Sequence, residues 1–282
     1  MTIRAAIVQM RGVPFAAAEN RARGLALAEE AVAAGARLVV LPELVVPGYD
    51  LDPAGLARAA EPLDGPTLAA WHAFARKTGA CIAGGFCERD GAALYNTAVL
   101  VGPDGLLLHY RKLHLFDAEK LIFTPGDRGL GVVDTPVGRV GLCVCYDLRF
   151  VEVVRALALQ GAEIVAVPTA WVGGFDRNPR DAMGFIGQAR GAVLQANLSQ
   201  VFIACASQSG RSEAFRFLGS SLVVDPYGEL LVGPLDEDEE GIALADIDPA
   251  KVAAAQVRSE RVRPREDRRT DVYGLTIGGR TL

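Results

Sequence analysis

Histidine is scarce in this chain, with three among 282 residues, and there are only five cysteines. Cys143-x-Cys145 has neither a CxxC partner nor a His pair at ligand spacing, which argues against a zinc site. An odd set of cysteines (81, 87, 143, 145 and 205), four of them in strand-like apolar runs, reads as reduced buried thiols and not as a disulfide framework. Neither GxGxxG nor GxxxxGK[ST] occurs, so nucleotide-cofactor chemistry lacks support. Long apolar runs are missing too. The longest uncharged stretch, Gly191 to Gly210, is interrupted by Gln195, Asn197, Ser199 and Gln200 and could not span a bilayer. The N-terminus lacks the apolar core and cleavage site of a signal peptide, so a cytoplasmic protein is expected. With 29 Lys+Arg against 34 Asp+Glu, the net charge of −5 argues against nucleic acid or an anionic membrane as partner.

Half of the residues are apolar and 22% are charged, the balance of a globular chain with ample material for a core. Apolar runs of strand length alternate with Ala-rich helical windows. Strands are expected at Ala5–Gln9, Arg37–Leu41, Cys81–Phe86, Leu94–Val101, Leu106–Lys112, Val140–Cys145, Ile164–Val167, Val201–Ala206 and Ile242–Ile247. Leu218–Val224 and Glu229–Val232 read as a hairpin about Asp225-Pro-Tyr-Gly. Helices are expected at Phe15–Ala34, Glu152–Leu159, Ala182–Ala196 and from Asp248, with another opened by Asp64 as cap, Pro66 in its first turn and Gly79 as its stop. The pattern is α/β, a layered domain of sheets covered by helices. The five acids Asp236–Glu240 read as a solvated loop, and the basic stretch Lys251–Arg269 as a solvated or interface tail.

Reactive residue types fall at three strand ends, where loops are free to shape a site. Glu43 follows Leu41-Pro42, Lys112 ends the strand Leu106–Lys112, and Cys145 sits at a strand-to-helix turn resembling a nucleophile elbow. A thiol, a carboxylate and an ammonium suffice for covalent amide chemistry: the carboxylate takes the thiol proton, the thiolate attacks a carbonyl, and the ammonium stabilises the oxyanion. Taken singly, each has a plainer reading: Glu43 a solvated loop acid, Lys112 part of an exposed Arg-Lys pair, Cys145 a small packed residue like Cys143. A Cys–His dyad is the rival arrangement. His72 lies beside Trp71 in an amphipathic helix, however, and His109 and His114 flank Lys112 at a spacing that suits neither one helix face nor one strand face.

The chain resembles the nitrilase (carbon–nitrogen hydrolase) superfamily over nearly its whole length. The resemblance rests on Leu41-Pro-Glu-Leu, Tyr95-Asn-Thr-Ala-Val, Tyr110-Arg-Lys-Leu-His-Leu, Phe123-Thr-Pro-Gly-Asp, Gly141-Leu-Cys-Val-Cys-Tyr-Asp-Leu-Arg-Phe, Gly219-Ser-Ser, Asp225-Pro-Tyr-Gly and Arg268-Arg-Thr-Asp-Val-Tyr, in that order. It implies one domain over residues 1–282, a four-layer αββα sandwich, no cofactor and no metal, and a catalytic triad of Glu43, Lys112 and Cys145. Glu119 matches the place of a second glutamate common near the site in this family. Homo-oligomers, dimers or larger, are also implied, with residues about 258–282 as a tail at a subunit interface. The sequence departs from the family where a usual Pro is Val151, which should alter a helix start more than the chemistry. It departs again at Arg190-Gly-Ala-Val-Leu-Gln-Ala-Asn, which replaces a segment that contacts the nucleophile strand.

The resemblance implies a small-molecule substrate. Cys145-Tyr-Asp resembles the amidase and carbamoyl-hydrolase branches, whereas nitrilases typically carry Cys-Trp-Glu, so nitriles are disfavoured. The paired His of carbamoyl-D-amino-acid hydrolases is missing from the segment Ala182–Gln195, which places a primary amide ahead of an N-carbamoyl amine. Trp171, Phe175, Tyr49 and Tyr146 are candidate pocket walls, with core packing as the alternative, and Asp147 and Arg149 are expected to buttress the elbow by a salt bridge. A partner-binding protein with a retained site is the non-enzyme alternative, against which the intact Glu43, Lys112 and Cys145 argue.

Overall fold

The computed structural model describes residues 2–177 and 180–282. The first half runs β1 (Ile3–Gln9), α1 (Ala17–Ala33), β2 (Leu38–Val40), α2 (Pro53–Ala59), α3 (Pro66–Thr78), β3 (Cys81–Asp90), β4 (Ala93–Gly102) and β5 (Gly105–Arg111). The second runs β6 (Val132–Thr135), β7 (Gly138–Leu142), α4 (Val151–Leu159), β8 (Ile164–Thr169), α5 (Gly187–Ser199), β9 (Phe202–Ser207), β10 (Leu222–Val224) and β11 (Leu230–Val232), then β12 (Gly241–Ile247), α6 (Ala250–Ala255) and a tail hairpin, β13 (Thr276–Ile277) and β14 (Arg280–Thr281). Two six-stranded mixed sheets form, in the orders β12-β1-β2-β3-β4-β5 and β11-β10-β9-β8-β7-β6. Each has a parallel centre (β1-β2-β3 and β7-β8-β9) extended by antiparallel pairs.

Alternation along the strands sets the layers. Ala5 and Ile7 of β1 and Leu38 and Val40 of β2 face the second sheet, packed with Val140, Leu142, Ile164 and Phe202. Ala6, Val8 and Val39 face the opposite way, against Ala28 and Ala31 of α1 and Trp71 and Phe74 of α3. With α4 and α5 covering the second sheet, the result is an α–β–β–α sandwich.

Several local expectations are corrected. Asp64 does not cap α3: Gly65 is the N-cap residue, and the Glu61 carboxylate accepts the Thr67 N–H at 2.8 Å instead. Gly79 does end that helix, in the left-handed region at φ 70°. The helix expected at Ala182–Ala196 begins at Gly187, and α4 begins at Val151 with no side-chain cap. The helix α2 was not foreseen, although Asp52 caps it and Pro53 opens it. Asp236–Glu240 is the expected loop, exposed at all but Glu237, although two of its acids are tied: Glu237 binds Arg216 and, at 2.6 Å, Arg180, while Glu240 binds Arg23 and the Arg11 N–H. Within the chain the tail is anchored by Arg265, which donates to the carbonyls of Ala158, Ser199 and Gln200 at 2.8–2.9 Å, at the C-terminal ends of α4 and α5, and most of its other residues are exposed. Among the described residues no helix is long and apolar enough to cross a membrane.

Candidate active site

Strand ends from both sheets meet at one end of the sandwich. Glu43 follows β2 by three residues, Lys112 directly follows β5, and Cys145 follows β7. The Glu43 N–H bonds Thr169 O at the end of β8, tying the two sheets together at 3.2 Å. Glycine permits this approach: a Cβ on Gly85 of β3 would lie 2.5 Å from Leu44 N and 3.0 Å from Glu43 Cα. Gly126 packs as closely on β5, where its Cβ would lie 2.0 Å from Arg111 O, and its N–H bonds Lys112 O at 2.9 Å.

Cys145 is an elbow in backbone geometry. The strand stops at Leu142, three residues earlier than the sequence suggested, and Cys145 opens a 3₁₀ turn to Arg149 at φ +46°, a strained region for a residue with a Cβ. Asp147, fully buried, holds the turn by accepting from Tyr110 Oη at 2.7 Å, Val144 N at 2.9 Å, His114 N at 3.1 Å and His114 Nδ1 at 2.8 Å. Arg149 takes no part in that buttress; it pairs with Asp176 at 3.0 Å. The departing segment of α5 still reaches the turn, since Gln195 Nε2 donates to Leu148 O at 3.1 Å.

Glu43, Lys112 and Glu119 form one buried cluster with no exposed side-chain surface. Lys112 Nζ lies 2.6 Å from Glu43 Oε1, 3.0 Å from Glu119 Oε1 and 2.8 Å from Glu119 Oε2. Glu119 also accepts from Tyr49 Oη at 3.0 Å and Phe116 N at 2.9 Å. Glu43 Oε2 is buried with no partner among the described residues. Gln208, absent from the sequence reading, fixes the backbone there by donating to Glu43 O at 2.9 Å. Asn96, in Tyr95-Asn-Thr-Ala-Val, is a second site residue that the sequence does not single out. Its Nδ2 donates to Glu43 Oε1 at 2.8 Å and lies 3.3 Å from Glu119 Oε1.

Two acids share one cation here, and the electrostatics follow. Burial pushes the Glu43 carboxyl up to about 7, and the charge of Glu119 adds to the push, while Lys112 and Asn96 offset part of it. For Lys112, burial alone would favour the neutral amine, but the charges of Glu119 and Glu43 outweigh it and hold the ammonium above its ordinary range. Burial, then the Glu43 charge, raises the Cys145 thiol well above a free thiol, against a pull from Lys112 and the Ala170 N–H. The resting state is therefore a thiol beside a carboxyl poised near neutrality, the arrangement for proton transfer coupled to attack.

A cavity of about 440 Å³ opens beside Cys145, lined by Tyr146, Trp171, Phe175, Phe116 and Gln195 among others. The Phe116 ring meets those of Tyr146 and Phe175 edge-on, at 5.2 and 4.7 Å between centroids. Tyr49 is elsewhere: it is buried behind Glu119, edge-on to Phe215 and Phe217, and does not line the cavity. Among the described residues no cluster of His, Cys, Asp or Glu suits a metal ion.

The fold and this constellation define a hydrolase of carbon–nitrogen bonds. The chain belongs to the carbon–nitrogen hydrolase family, which matches residues 4–257, within the nitrilase superfamily. It is 34% identical over 277 residues to a nitrilase of Pyrococcus abyssi, covering 96% of this chain and 99% of that protein. It is 34% identical over 248 residues to an (R)-stereoselective amidase of a Pseudomonas species, covering 88% and 86%. Among solved structures it resembles an amidase of Nesterenkonia AN1 at a TM-score of 0.77 and 27% identity, over 96% of this chain and 95% of that one. Another structure of that amidase carries the product of acrylamide addition at its active-site cysteine.

Proposed function

We propose that the enzyme hydrolyses a primary aliphatic amide to a carboxylic acid and ammonia through a thioester on Cys145. The observation that carries this reading is the partnerless Oε2 of Glu43 in a buried cluster whose only cation is Lys112. In the first half-reaction Glu43 takes the thiol proton as sulfur attacks the carbonyl carbon. Lys112 and the Tyr146 N–H meet the developing oxyanion, and the protonated Glu43 gives its proton to the departing nitrogen as the C–N bond breaks. In the second, Glu43 takes a proton from water, the hydroxide adds to the thioester, and the C–S bond breaks as the proton returns to sulfur. Glu119 holds Lys112 in place through both halves.

The cavity supports a neutral acyl group. Its walls near Cys145 are aromatic, and Arg149, the one cation among its described lining residues, is met by Asp176 at 3.0 Å. An N-carbamoyl amino acid would have to compete with Asp176 for that guanidinium. The relatives' names divide between amidase and nitrilase, and Cys145-Tyr-Asp favours the amide. Self-association belongs to the same reading: Val151 of α4 and Leu194 and Leu198 of α5 are exposed on helices of one outer layer, and sedimentation would show a dimer or larger assembly.

Parallel release of ammonia and carbon dioxide from primary amides, N-carbamoyl amines and nitriles tests the proposal, with Cys145→Ala as control. Ammonia alone from an amide, abolished in the control, is expected. Both gases from a carbamoyl compound, or ammonia from nitriles alone, would overturn the amide assignment.

A further inference from the structure

Asn96 stands at the centre of the buried cluster without a place in the mechanism above. It lies on β4, is 1% exposed, and joins the site twice. Its carbonyl O accepts the Lys112 N–H at 2.8 Å, which sets where β5 delivers the lysine. Its side-chain Nδ2 donates to Glu43 Oε1 at 2.8 Å, with Glu119 Oε1 at 3.3 Å. The amide orientation follows from chemistry, because the flipped amide would aim its oxygen at two carboxylate oxygens. The remaining atom, Oδ1, is buried with no partner among the described residues. An orphaned buried acceptor costs free energy, and its persistence calls for a reason beyond packing.

The consequence falls on Glu43. Its Oε1 receives two donors, Lys112 Nζ at 2.6 Å and Asn96 Nδ2 at 2.8 Å, while its Oε2 receives none. We propose that Asn96 is a positioning residue that saturates Oε1 together with Lys112, so that Oε2 alone is left to exchange protons with Cys145, the leaving nitrogen and water. Without Asn96 the carboxyl has one donor on Oε1 and can rotate about its last bond, so that either oxygen can turn to the lysine. The inference rests on the reading of Glu43 as the proton acceptor for Cys145, and it assigns a role to a residue which that reading leaves idle.

The test follows the thiol and needs no substrate. Iodoacetamide alkylation of Cys145, followed by mass spectrometry of its peptide, is measured between pH 5 and 9 in the wild type, Asn96→Leu, Asn96→Ser and Glu43→Gln. The titratable and charged groups about Glu43 are Lys112, Glu119, Cys145 and Tyr49, and all four remain in each variant. The wild type is expected to lose reactivity as pH falls through about 7, where Glu43 takes up a proton. Losing a hydrogen bond to the ionised carboxylate makes it harder to deprotonate, so in Asn96→Leu this limb moves up by about one pH unit and alkylation at pH 7 slows roughly three- to tenfold.

Asn96→Ser keeps a hydroxyl donor and is expected to shift the limb less, in the same direction; it carries the test if the leucine variant does not fold. An unmoved limb in the folded Asn96 variants overturns this inference alone. A limb that survives in Glu43→Gln overturns both it and the role of Glu43, since Asn96 acts through that carboxyl.

Discussion

Two charge clusters sit back to back on β5 and differ in one respect that decides their roles. Arg111 and Lys112 are successive residues, both buried, and each meets a buried glutamate. On the Arg111 side, Glu88 is fully met: Oε1 accepts from Arg111 at 2.5 Å, and Oε2 from Thr97 at 2.6 Å, His109 at 2.7 Å and Arg111 Nε at 3.1 Å. Arg111 spreads further to Asp90 and Asp127 and stacks on Tyr95 at 3.7 Å. On the Lys112 side, Glu43 keeps an oxygen without a donor. Burial pushes both carboxyls up, but for Glu88 the bonds from His109, Arg111 and Thr97 win and hold it down at about 2, whereas for Glu43 burial wins, at about 7. A carboxylate whose hydrogen bonding is complete becomes a structural strut, and a more deeply desolvated one with an oxygen unmet becomes a base.

The comparison breaks if the two glutamates respond alike. Glu43→Gln is expected to cut turnover by ~10²–10⁴, the range for general acid–base groups, with little change in melting temperature. Glu88→Ala should do the reverse, lowering unfolding free energy by roughly 3–5 kcal/mol because Arg111 is left buried without its main partner, while folded molecules still alkylate at Cys145. Denaturant unfolding and ammonia assays on both variants distinguish the cases. Equal loss of activity per folded molecule would erase the distinction.

Their pH windows should separate as well. Glu43 must be ionised to take a proton, so turnover rises as pH climbs through about 7. Glu88 is held below its ordinary 4.5, so the stability it contributes is present above that value and is lost as pH falls toward about 2. Activity is thus expected to fail on acidification well before the fold does, which paired rate and circular dichroism titrations would show. The smallest effect is expected outside both clusters, at the half-exposed Phe175. Its truncation to alanine removes one edge-on aromatic contact and should raise KM about fivefold with kcat nearly unchanged.

Legibility in the sequence followed the same divide between local and distant partners. The strand pattern announced most of the two sheets, because alternation and turn residues act over a few positions. Glu43, Lys112 and Cys145 were legible as strand-end residues, and the motif order added Glu119. Asn96 was not, since its contact with Glu43 spans 53 positions and depends on where β4 lies relative to β2 in the sheet. The acids Asp236–Glu240 do form a solvated loop, but their ion pairs were illegible for the same reason: Arg11 and Arg23 lie more than 200 residues away from Glu240. Tyr49 could be recognised as near the site, but whether it faced substrate or Glu119 depended on a fold the residues around it do not reveal. By contrast, Asp52-Pro53 is a local helix-start signal, a capping acid followed by a proline in the first turn.

Rapid-quench mass spectrometry of the enzyme mixed with a short-chain primary amide tests the central claim most directly. The account predicts that the Cys145 peptide gains the mass of the acyl group, in step with the first equivalent of ammonia, and that Cys145→Ala shows neither. Ammonia released by Cys145→Ala, or released by the wild type with an acyl group trapped on another residue, would contradict it.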